Sequence, residues 1–124
     1  MKPLFVAAFT ALLTASPIPA VQSGLTVTYL ANEGVLLSAG AQKVLIDALF
    51  LKYETGYPVP AESTQVALAR SHAPFDAVDL VLVTHRHGDH FHPAPMAEHL
   101  RSNPRAVLVT SQQVIDSLRS VFRP

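Results

Sequence analysis

Leu80-Val81-Leu82-Val83-Thr84-His85-Arg86-His87-Gly88-Asp89-His90 is the stretch on which the architecture turns. Its first four residues are uniformly apolar and half of them β-branched, which reads as a short buried strand. Three histidines and an aspartate then follow within six residues. Neutral imidazole nitrogen and carboxylate oxygen are the donors that suit zinc and similar divalent cations. In extended backbone residues i and i+2 point the same way, so His85 and His87 can converge on one ion. Gly88 lacks a Cβ and permits a sharp change of direction, which turns Asp89 and His90 back toward the same space. A solvated polar loop can hold the same residues by chance. Their order directly after a strand argues instead for a metal centre.

Working outward, residues 25–30, 35–37 and 43–47 read as three strands, separated by turns at Asn32-Glu33-Gly34 and Gly40-Ala41-Gln42. Such short connections imply an antiparallel meander. Residues 48–61 form a long aromatic, proline-punctuated loop, which either packs its aromatics on the sheet or contacts substrate. A helix is expected over 63–70, and Ala73-Pro74-Phe75-Asp76 leads into a strand over 79–83. Pro93 and Pro95 suit the first turn of a helix that stops near Asn103-Pro104. A strand over 106–109 follows. Ser111 then caps a helix over 112–122, whose Val114, Leu118 and Val121 form an apolar stripe. The class is therefore α/β, more strictly α+β, with a mostly antiparallel or mixed sheet and helices on one face.

The chain has 124 residues, a one-domain length, with nine Lys plus Arg against nine Asp plus Glu. That balance supplies no basic patch, so no nucleic-acid partner is expected. Cysteine is absent, which removes thiolates as ligands or nucleophiles. Residues 1–20 read as a signal peptide: Lys2 is a positive start, 4–13 an apolar core, and Ser16-Pro17-Ile18-Pro19-Ala20 a break with a small residue at the cleavage position. The alternative is a buried N-terminal helix. The apolar run is too short to span a bilayer. Residues 21–124 are thus expected to be exported, periplasmic or secreted, with no stable membrane span after removal of the signal.

The phrase His85-x-His87-x-Asp89-His90 resembles the metal-binding motif of the metallo-β-lactamase superfamily. The element order from about Leu25 to Val121 is similar to the first half of that family's αββα sandwich. The opening strands and residues 79–85 are most similar to its ascorbate-6-phosphate lactonase branch. The resemblance implies a zinc-dependent hydrolase with two Zn2+ per complete domain, Mn2+ or Fe2+ being alternatives. It assigns His85 and His87 to one metal and Asp89 and His90 to the other.

Two such dications activate a shared water and stabilise a developing oxyanion. Asp89 is the candidate catalytic residue, orienting that water or carrying its proton while ligating a metal. Asp47 resembles the aspartate beside the site and is expected to hold a ligand imidazole by its free N–H. Otherwise it merely satisfies a strand end. His92 is expected to be a loop residue and His99 to face solvent. His72 and His99 have no partners at ligand spacing.

The family completes its site with later histidines and a bridging carboxylate. After His99 this sequence has no histidine, and its one later carboxylate is Asp116. Residues 21–124 are therefore expected to be a truncated N-terminal part of the domain. The alternative to a hydrolase is a non-catalytic metal-binding half-domain. Implied substrates are small-molecule esters, lactones or phosphodiesters, and an open sheet face leaves self-association as an expected behaviour.

Overall fold

The computed structural model describes residues 24–51 and 56–122. The expected signal peptide, and Tyr53 of the long loop, lie outside the described residues. β1 (Leu25–Ala31), β2 (Gly34–Ala39) and β3 (Gln42–Ile46) form the antiparallel meander that the short turns require. β4 (Leu80–Val83) then pairs with β3 in parallel, and β5 (Val107–Thr110) pairs with β4 in parallel. The result is one mixed five-stranded sheet in the order β1-β2-β3-β4-β5. Each parallel step needs a crossover. α1 (Glu62–Ala69) supplies the first and α2 (Pro93–Ser102) the second, while α3 (Gln112–Arg119) follows β5.

All three helices pack on one face. Leu36, Leu45, Val81 and Val83 project from the sheet into a core shared with Leu68 of α1, Met96 and Ala97 of α2, and Val114 and Leu118 of α3. Complete burial of a side chain such as Leu45 stabilises the fold by about 1.5–3 kcal/mol. α2 begins at Pro93, whose missing N–H costs nothing there, and His92 caps it by accepting from Ala94 N at 3.3 Å through Nδ1. Asn103 closes it, with its Nδ2 donating to Val78 O at 2.8 Å. α3 departs from expectation at both ends: it stops at Arg119 rather than at 122, which leaves Val121 outside the helix and 39% exposed instead of in the apolar stripe. Ser111 occupies the N-cap position, but its side chain makes no cap bond and its Oγ is buried without a partner.

His99 is the larger correction. It was expected in solvent beside Glu98, yet it is 0% exposed. Met96, His99 and Leu100 share one helical face at i, i+3 and i+4, and that face meets α1. His99 Nδ1 lies 2.6 Å from Leu68 O, so it takes up a carbonyl from the last turn of α1. Nε2 has no partner in the protein. Desolvation pushes its pKa below the ordinary 6.5, while the bond to Leu68 pulls the other way.

Among the described residues, the opposite face of the sheet carries no helix. The register aligns Tyr29, Val35, Ile46, Leu82 and Val109 in one row across all five strands, and Val27, Leu37, Val44, Leu80 and Val107 in the next. Every member is apolar or aromatic. Tyr29 is 66% exposed, Val27 60%, Val107 58% and Val109 53%. Among the described residues no helix is long and apolar enough to cross a membrane.

Candidate metal centre

Topology gathers the site at one end of the sheet. β3 and β4 run in parallel, so Asp47 and Thr84 leave the sheet side by side. β2 runs against β3, which brings the β1–β2 turn to the same end. Asp47 N donates to Leu82 O at 3.0 Å. Its carboxylate then reaches over the start of the His85–His90 loop: Oδ1 accepts from Thr84 N at 2.8 Å and Oδ2 from Thr84 Oγ1 at 2.8 Å. The first part of the long loop continues past the site, with Leu49 bridged in parallel to Phe91. His92 N donates to Leu49 O at 2.8 Å. Leu49 and Phe50 are buried, so this part of the loop packs. Tyr57 is exposed.

The hydrogen bonds orient the imidazoles. His90 Nδ1 lies 3.0 Å from Asp47 Oδ2. A carboxylate can only accept, so Nδ1 carries the proton and the lone pair is left on Nε2. His85 Nδ1 lies 3.0 Å from Thr84 Oγ1, whose own proton is directed at Asp47. That arrangement likewise leaves the His85 lone pair on Nε2. His85 Nε2 faces His87 Nδ1 at 3.1 Å, and the two rings stand nearly perpendicular at 81°. Holding a ligand imidazole by its far nitrogen is how metal sites fix a tautomer.

Two groups of donor atoms, each within 4.8 Å of one another, result: His85, His87 and Asp89 in one, Glu33, Asp89 and His90 in the other. Asp89 belongs to both. Its Oδ1 is buried without a hydrogen-bond partner, an orphaned acceptor that a cation would satisfy. The donor set of imidazole and carboxylate fits a zinc-like dication. All four motif residues and Asp47 are therefore brought together. His92 is spent on the helix cap, His99 is in the core, and His72 is exposed away from the cluster.

Three contributors escaped the sequence reading. Thr84 was seen as part of the motif but is the hub between Asp47, His85 and His90. Asn32 Nδ2 donates to Asp89 O at 3.1 Å and fastens the β1–β2 turn to the loop. Glu33 was read as a turn residue. The meander itself held the signal, because the first turn of three antiparallel strands must lie at the end where the third strand exits. Three of the five positive-φ non-glycine residues among the described residues lie here, Ser71 and Ala77 being the other two. Ala31, Asn32 and Asp47 all have positive φ (143°, 49° and 44°), a conformation that costs on the order of 1–3 kcal/mol in a non-glycine residue and gathers at functional sites.

A family model described as a beta-lactamase superfamily domain matches residues 26–121. No curated protein and no solved structure matches the chain.

Proposed function

The chain belongs to the beta-lactamase superfamily, and from that premise we propose that it carries the metal-binding part of a zinc-dependent hydrolase. The observation that carries this is the pair of oriented imidazoles: hydrogen bonds at Nδ1 leave the lone pair on Nε2 of both His85 and His90, with His85 Nε2 facing His87 Nδ1 at 3.1 Å. His85 and His87 would hold one ion, and Asp89 and His90 the second. When bound, zinc supplies Lewis acidity and lowers the pKa of water toward neutrality. Asp89 positions the nucleophilic water and accepts its proton, since its carboxylate lies between the two donor groups. Thr84 and Asp47 keep the imidazoles aligned.

Small esters, lactones or phosphodiesters are the proposed substrates, with a lactone closest to the ascorbate-6-phosphate lactonase-like branch. Turnover belongs to a longer polypeptide that adds the remaining donors. Self-association through the open apolar face is proposed for the chain by itself, and export by residues 1–20 for the precursor. N-terminal sequencing of secreted material should begin near Val21.

The deciding experiment is zinc titration with esterase and phosphodiesterase assays. Zinc should bind, and His87→Ala should weaken it about tenfold or more, whereas His92→Ala should not. Hydrolysis by the chain by itself should be negligible. Absence of zinc binding by the wild-type chain would overturn the reading. Robust turnover from residues 21–124 would leave the zinc centre standing and overturn the need for added donors.

A further inference from the structure

We infer that Glu33, at the tip of the β1–β2 turn, is the third protein ligand of the ion held by Asp89 and His90. The inference rests on reading the cluster as a metal centre and adds a donor that the His85–His90 motif does not contain.

The distances carry it. His90 Nε2 lies 3.7 Å from Asp89 Oδ2 and 3.9 Å from Glu33 Oε2. These exceed hydrogen-bond range, so no shared proton holds the three groups in this arrangement. They approach the spacing of ligand atoms around one ion, since tetrahedral bonds of 2.0–2.1 Å put donors roughly 3.3 Å apart. His90 Nδ1 is committed to Asp47, which leaves Nε2 as an acceptor. Glu33 and Asp89 are acceptors as well. With the ring neutral, three acceptors gathered within 4.8 Å of one another repel unless a cation lies among them. Among the described residues no lysine or arginine pairs with either carboxylate.

The placement of Glu33 is built into the fold. Asn32 Nδ2 binds Asp89 O, so the residue before Glu33 is tied to the loop it faces. On its other side Gly34 lets β2 begin close against the end of β3. A Cβ at Gly34 would stand 3.1 Å from Ala31 O, 3.2 Å from Asp47 O and 3.3 Å from Ala48 Cα. All three are backbone atoms, which cannot yield as a flexible side chain would. The turn is thus held from both sides with its carboxylate over His90. The side chain is half exposed, so removing its charge leaves the core untouched.

The test is metal binding by the full chain, stripped with chelator and titrated with Zn2+ against a chromophoric competitor. Co2+ absorption reports coordination independently. The wild type should take up two ions. Glu33→Gln should keep one at wild-type affinity and lose about tenfold or more on the other, with its Co2+ spectrum altered in proportion. Glu33→Asp should fall between. Unchanged melting in chelator by both variants would separate ligand loss from unfolding. Should Glu33→Gln bind both ions as tightly as the wild type, the inference is overturned and the metal centre survives. Equal weakening of both ions would also overturn it. Failure of the wild type to bind any ion would sink the inference together with the reading beneath it.

Discussion

The two faces of the sheet are built from the same residue types and have different fates. On one, Leu36, Leu45 and Val81 meet across three strands and vanish under the helices. On the other, Val27, Leu37, Val44, Leu80 and Val107 meet across five strands with no helix over them among the described residues, and the outermost are more than half exposed. Alternation along a strand normally separates an apolar side from a polar one. Here both sides are apolar in the middle strands, the pattern of a sheet buried on both faces. The difference teaches that hydrophobicity determined which segments became strands, whereas the crossovers determined which face the helices took.

The comparison breaks most visibly in paired core substitutions. Leu45→Ala, on the covered face, should cost about 2–5 kcal/mol, read as a lower urea midpoint at unchanged slope. Val109→Ala, on the open face, should cost less than about 1 kcal/mol in a dilute monomer. Equal costs would mean that the open face is already covered in solution.

The next effect belongs to His99, the polar residue that the covered face admits. His99→Ala removes a buried ring and its short bond to Leu68 O, which keeps the longer bond from Ser71 N at 3.3 Å, at a cost of about 2–3 kcal/mol. The same residue gives the fold a pH dependence. Its folded pKa lies below 6.5 because of desolvation, so the unfolded chain binds the proton more readily. Its stabilising contribution is therefore complete above pH 6.5 and is lost as pH falls through the window below it. Urea melts from about pH 7.5 down to about pH 5 should show this decline. They should show a shallower one in His99→Gln, which can still donate to Leu68 O but does not titrate.

Thr84→Val tests the site at the sheet end. It keeps the shape and removes the hydroxyl that orients His85, so zinc affinity should fall about tenfold with little change in the chelator-treated melt. The smallest expected thermal effect comes from the open face. Val27→Lys with Val109→Lys should leave monomer stability within about 1 kcal/mol of the parent. It should, however, move the sedimentation profile toward monomer. A parent chain that is already monomeric at tens of micromolar would show that this face tolerates water.

Much of this arrangement could be read from the residues alone. Apolar and β-branched runs marked the strands, short turns marked the meander, and the spacing of His85, His87, Asp89 and His90 marked the cluster. What escaped did so for identifiable reasons. His99 was judged by its polarity and its neighbour Glu98, although its phase with Met96 and Leu100 pointed inward. Ser111 has the right residue type for a cap, but Val114 N–H, the donor its hydroxyl would cap, goes to Ser111 O at 3.2 Å. Glu33 has no local signature. Only the order of the strands, taken in three dimensions, brings it to Asp89 and His90.

Asp47 has a consequence of another kind. Its bonds to Thr84 span 37 residues of sequence, whereas His85 to His90 are neighbours in any conformation of the chain. A refolding chain therefore owns its metal-binding atoms almost from the start, but acquires their alignment only after β3 has found β4 and a long loop has been closed. An ion arriving early would meet loosely directed imidazoles, and one arriving late would meet imidazoles already turned to receive it. On the proposed metal centre, the strength of metal capture would become a clock for the β3–β4 encounter, with Asp47 the hand that moves when that encounter is complete.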